Sequence, residues 1–179
     1  RDLHPRVRRQ RQMCIRDRAS ATHRTKGQNL NLKGEKSVAV GELTAGNGWQ
    51  EVKFGKTVAG HYFCLEALSA QDGKDLACIA EMYLLDENGE RLSREPWIVN
   101  YADSEDVSHV NCSADKIFDL QESTYWSTTK DTPYPHSVVI DLGSTRTLTG
   151  IQYLPRMESE VPGGIKDFKV YVKSKAFNY

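Results

Sequence analysis

Beyond residue 36, apolar positions recur in short runs with a period of two, and no window keeps a helical period over three turns. Val52 and Phe54 alternate with Glu51 and Lys53. In 61–68, Phe63, Leu65 and Ala67 share one face while Cys64 and Glu66 share the other, which predicts a strand with one buried side. Residues 79–85 are apolar nearly throughout and run into Asp86-Glu87-Asn88-Gly89, whose Asn-Gly pair predicts a turn. Pro96 opens a new segment. Strands are then expected at 97–101, 137–142, 148–153 and 167–172, punctuated by Gly143, Gly150 and Gly163-Gly164. In the last of these Phe168, Val170 and Val172 form the predicted core face, with Asp167, Lys169 and Tyr171 on the wet one. Many short strands between turn residues, with no helices separating them, predict an all-β antiparallel sandwich or barrel.

At 179 residues the chain is long enough for one ordinary domain, and its charges balance overall but not locally. Residues 1–26 hold nine Arg or Lys against two Asp, leaving the body acidic, with fifteen bases and twenty-two acids. The basic start, with Arg6, Arg8, Arg9 and Arg11, has no stacking aromatics among its arginines, so no nucleic-acid partner is expected. Residues 12–18 closely resemble the translation of a sequencing-library adaptor, and 1–18 are expected to be a non-native, disordered tail. There is no run of 18 apolar residues, so no membrane insertion is expected. Apart from Cys14, Cys64, Cys78 and Cys112 form no CxxC pair and lie at no zinc-ligand spacing to histidine; unpaired structural thiols are expected.

Several motifs in register carry a family resemblance. Ala114-Asp115-Lys116-Ile117-Phe118-Asp119, Ser123-Thr124-Tyr125-Trp126 and 135–143 (PHSVVIDLG), followed by 148–156 (LTGIQYLPR) and 164–172 (GIKDFKVYV), resemble the front half of the discoidin family. That family is also called coagulation factor type C and includes carbohydrate-binding module family 32. Residues 50–54, 60–68 and 77–85 resemble the closing strands of the same kind of module, so the order is reversed. The expected organisation is therefore the C-terminal part of one module plus a linker over 19–95, and the N-terminal part of a second, truncated module over 96–179. A back half joined to a front half is formally a circular permutant, because a jelly roll brings its termini together. An incomplete or pseudo-permuted galactose-binding-like jelly roll, closed as a single sandwich, is expected.

The resemblance implies a structural calcium held by carboxylate and carbonyl oxygens in a turn. Asp119 and Thr124 match its loop, and Glu81 matches the acidic position of the closing strand. Leu120 stands where the family has glycine. The resemblance also implies a sugar site on loops at one end, where an aromatic face and polar side chains meet the ring. Arg156 matches an arginine of that site, and arginine's fixed donors suit vicinal hydroxyls or a carboxylate. Ser127 takes the place of a histidine common in galactose-binding members. Lys130 and Tyr134 lie in the next loop, Tyr134 between two prolines, and are expected on the same rim. Glu158 and Glu160 read more simply as solvated loop residues, and Trp97 and Trp126 as core aromatics.

No catalytic motif stands out. Asp103, Glu105 and Asp106 could supply paired carboxylates for glycoside cleavage, but such a run more commonly makes a solvated linker face. Ser137, His136 and Asp141 are neighbours on one strand and cannot converge as a triad. The expectation is a non-catalytic, monomeric carbohydrate-binding module, carried by a secreted, periplasmic or cell-surface glycoside hydrolase or similar protein. Its partner would be a glycan. An adhesion module for protein or lipid surfaces and a structural spacer stand as alternatives, the first favoured by apolar loop tips.

Overall fold

The computed structural model describes residues 29–179, so the tail expected at 1–18 lies outside the described residues. The strands are β1 (Ala39–Glu42), β2 (Gln50–Ala67), β3 (Cys78–Ile79), β4 (Glu81–Leu85), β5 (Ile98–Ala102), β6 (Trp126–Ser127), β7 (His136–Leu154) and β8 (Asp167–Lys173). A 3-10 turn at Ala114–Phe118 is the helical element among them. All strand pairs are antiparallel, so the molecule is an all-β antiparallel sandwich.

Its two layers come from two long strands that change sheets. The second part of β2 (62–67) pairs with the start of β7 and with β8, while β8 also pairs with β1, and β5 with the start of β7. This builds a five-stranded sheet. The first part of β2 pairs with the end of β7, which also pairs with β4, and this builds a three-stranded sheet. The crossing lies between Gly60 and Tyr62, where the partner jumps from Arg146 to Asp141. Gly60 is needed there because a Cβ would meet Val172 Cγ1 at 2.5 Å and Lys173 O at 2.9 Å. Two strands expected from the sequence, 137–142 and 148–153, are thus one continuous β7 bent at Gly143. Conversely, the strand expected at 79–85 is interrupted at Ala80, whose N–H turns to Leu154 O at 2.9 Å.

Phe63, Leu65, Ala67, Val138, Ile140, Phe168 and Val170 face Met82, Leu84, Ile151 and Tyr153 across a core closed by Trp97 and Trp126. Burying each such side chain contributes roughly 1.5–3 kcal/mol. The faces assigned to water at Cys64 and Tyr171 are not wet. Both residues are buried in a second cluster with Tyr101, Val139 and Phe177, on the outer side of the larger sheet. Leu30 and Leu32 cover it, and Asn31 pairs with Asn178 across the two ends of the described chain. An alternating pattern cannot reveal that outer cover, because the covering residues lie far away in sequence. The segment expected as a linker also packs inward, with Arg94 buried and Leu92 against the core.

Candidate functional site

The β3–β6 ribbon, with Cys78 opposite Ser127 and Ile79 opposite Trp126, carries loops on both edges. On one edge Ser127 N donates to Cys112 O at 3.1 Å and Asp106 N to Ser127 O at 2.8 Å. On the other, Cys78 N donates to Gly163 O at 2.8 Å, which ties in the loop that follows β7. Tyr125 precedes β6, and Arg156 leaves the end of β7 so that its guanidinium lies 4.1 Å from the Tyr125 ring centroid. One terminal nitrogen of Arg156 pairs with the Glu158 carboxylate, and its Nε is buried without a partner among the described residues. The arrangement offers a flat cation on an aromatic plate beside a carboxylate, which can meet both the hydroxyls and the C–H face of a ring.

The four residues expected on the rim separate into different environments. Arg156 is partly exposed and stacked as described. Ser127 is only 4% exposed, its hydroxyl donating to Thr128 O at 3.1 Å. Tyr134 is half-buried, donates to Leu76 O at 2.8 Å and meets His136 edge-on, with ring centroids 4.5 Å apart. Lys130 stands exposed on its loop. The structure thus brings Arg156 and Glu158 together and adds Tyr125, a residue the sequence reading passed over. Its one signal was its position directly before the buried Trp126. Glu158 contacts a cation here, where the sequence reading preferred simple solvation.

Burial disfavours ionisation of the thiols beneath this site. Burial pushes Cys78 up to about 11, against the pull of Ser127 and Arg156, and burial raises Cys112 as well. Burial likewise raises the Tyr125 phenol, with Arg156 pulling it down. Cys64, Cys78 and Cys112 are all free and buried.

The acidic run at 103–106 works as a set of loop anchors. Asp103 Oδ1 accepts Ser137 N at 2.8 Å, and its Oδ2 lies 2.7 Å from His136 Nδ1. Glu105 Oε1 accepts Ala114 N at 2.8 Å, and Asp106 Oδ1 accepts the Ser108 hydroxyl at 2.7 Å. Thus the partner of His136 is Asp103 from another loop, while Asp141 lies 2.8 Å from His61 Nε2.

Asp119, Thr124 and Glu81 do converge. Gln121 N donates to Glu81 Oε1 at 2.9 Å and to Asp119 Oδ1 at 3.0 Å, and the Thr124 hydroxyl donates to Asp119 Oδ2 at 2.8 Å. Leu120 holds the left-handed conformation that glycine would take without strain, with φ of 68°. Two carboxylates, a hydroxyl and the carbonyls of a tight turn are the oxygen donors that a hard cation takes, so the residues fit calcium in donor type. Two cations of the chain already serve them. Buried Arg94 pairs with Glu81, also donating to Met82 O at 3.0 Å, and Lys116 stands 3.6 Å from Asp119. Burial raises the Glu81 carboxyl, with Arg94 opposing it.

Residues 100–179 match the sequence model of the F5/8 type C domain. The chain is similar to a sialidase of Micromonospora viridifaciens, 36% identical over 73 residues, or 38% of this chain and 11% of the relative. It is also similar to a galactose oxidase of Gibberella zeae, 28% identical over 91 residues, or 51% of this chain and 13% of the relative. The chain therefore spans a small part of the length of these proteins.

Proposed function

We propose, on the premise that residues 100–179 match the F5/8 type C, or discoidin, sequence model, that the chain is a non-catalytic carbohydrate-binding module of a larger secreted or cell-surface protein that acts on glycans. The Arg156–Tyr125 stack, with Glu158 beside it at the loop end of the sandwich, carries the reading. The sialidase and galactose oxidase likenesses support it, since both names denote proteins acting on sugars or sugar-bearing substrates. A tethered module of this kind raises the local concentration of its parent on a polymer. Affinity electrophoresis against neutral and acidic polysaccharides tests the proposal. Retardation that disappears in Arg156→Ala, with the melting temperature kept, is the expected result. Equal mobility of the parent chain in all gels would rule the reading out.

One observation favours a second reading, a module that adheres to a lipid or protein surface. Val107 and Val110 are 60% and 66% exposed in the loop on one edge of the ribbon, and Met157 is exposed beside Arg156. Co-sedimentation with vesicles of mixed neutral and anionic phospholipids, without retardation in any polysaccharide gel, would select it.

A structural calcium at Asp119, Thr124 and Glu81 belongs to the same proposal. When bound, the ion would supply positive charge to the turn, with Lys116 giving way. An ion held only by the folded state must stabilise it, so chelation should lower the melting temperature and calcium restore it. Unchanged melting under both treatments would leave Lys116 and Arg94 as the only cations of the turn.

A further inference from the structure

The loop that carries Arg156 also walls a cleft of about 300 Å³ to which Arg156 itself does not contribute. This volume lies at the small end of ligand sites. Tyr153, Pro155 and Ile165 give the cleft an apolar base. Its frame is held before any ligand arrives. Gln50 clamps the turn at Thr44 through three hydrogen bonds, at 2.8 Å to N, 3.0 Å to Oγ1 and 2.8 Å to O. Gln71 Nε2 ties Leu43 O at 2.6 Å to Ile165 O at 3.2 Å, so both side walls are fixed to the base.

The polar groups left over are mainly acceptors, with the Ser159 hydroxyl able to donate as well. Gln71 has committed its amide nitrogen and keeps its oxygen. Asp72 and Glu160 line the cleft as carboxylates, Asp72 with one oxygen accepting Lys74 N at 3.0 Å, and there is no Lys or Arg in the lining. An apolar base ringed by acceptors suits a pyranose, which presents a C–H face and several hydroxyl donors. Two carboxylates without a countercharge disfavour an anion, because like charges brought together in a partly desolvated site repel.

We propose that this cleft is a second sugar subsite, which takes a neutral or amino sugar residue and rejects uronic or sialic residues. The inference rests on the carbohydrate reading above and assigns that module an additional contact beyond the Arg156 stack.

Backbone amide NMR of the full chain, titrated separately with lactose, a glucosamine disaccharide and sialyllactose, tests it. Shifts at Thr44, Gly46, Asp72 and Glu160 are expected with at least one of the first two ligands and not at the acidic residue of the third. Asp72→Asn with Glu160→Gln should weaken the amino sugar by about tenfold, the loss of one charge-assisted hydrogen bond. Shifts confined to Tyr125, Arg156 and Glu158 would overturn the subsite and leave the carbohydrate reading standing. Cleft shifts driven by the sialic residue would overturn the assigned ligand class. An absence of shifts with all three ligands, together with equal mobility in every polysaccharide gel, would remove both.

Discussion

Leu120 shows how one residue can carry strain in an otherwise relaxed loop. Its φ of 68° places a Cβ against the following carbonyl, at a cost of about 1–2 kcal/mol. At 74% exposure it recovers little of that by burial. Leu120→Gly removes the clash but adds freedom to the unfolded chain, so a net gain of about 0.5–1 kcal/mol is expected in urea unfolding. A loss would mean that the leucine makes a contact worth more than its strain. His136 makes a different residue-scale prediction. Its buried ring faces the Asp103 carboxylate at one nitrogen and Asp75 O, at 2.6 Å, at the other, so only the imidazolium can donate to both. Burial disfavours that charge, but Asp103 and the Asp75 carbonyl outweigh it and raise the pKa above 6.5. A group whose folded pKa is raised stabilises fully below its unfolded value and loses that contribution as pH climbs through the folded one. The melting temperature should therefore fall as pH rises from 6.5, and His136→Gln should flatten that slope; parallel slopes in both proteins would contradict it.

Among the elements, β2 and β7 set the architecture, with glycine needed at their crossing (Gly60) and further along their ladder (Gly150). At Gly150 a Cβ would sit 2.5 Å from Val52 O, a backbone atom that cannot turn aside. Gly150→Ala should cost about 1–3 kcal/mol through displacement of the β2–β7 ladder, read as a lower denaturation midpoint. If stability were unchanged, the two strands would have to separate at that point without penalty. This crossing also marks where legibility ended. The alternation in 61–68 and 167–172 placed both strands, since a period of two survives in each. It did not reveal that 137–142 and 148–153 form one bent strand, because Gly143 and Gly150 look like turns whether or not pairing continues past them. The buried far side of Cys64 and Tyr171 was hidden for another reason: Leu30 and Leu32 cover it from a distance in sequence. The motif series pointed to Arg156 and, at a separate turn, to Asp119, Thr124 and Glu81, which do lie together. It passed over Tyr125 and the cleft at Gln71 and Asp72, whose meaning arises from contacts between separate loops.

At the scale of the whole molecule, the pairings interleave the two parts of the chain. Among the described residues β1–β8, β2–β7, β2–β8, β3–β6 and β4–β7 each join a strand before residue 96 to one after it, while β5–β7 lies within the second part. The covalent link between the parts runs through the exposed turn at Asp86–Gly89, where Asp86 Oδ1 accepts Asn88 N at 2.8 Å and Glu90 N at 2.9 Å. Such a turn closes a connection but contributes little to the core, so cutting it should leave the sandwich assembled. With a protease site inserted between Asn88 and Gly89 and the folded chain then cleaved, the two pieces should elute together at the size of the intact protein. Their melting temperature should rise with concentration, since folding has become an association, whereas that of the uncut chain should not. Pieces that part under native conditions, one of them still melting cooperatively, would mean that half of the chain holds a core of its own and that the interleaved strands are an addition to it.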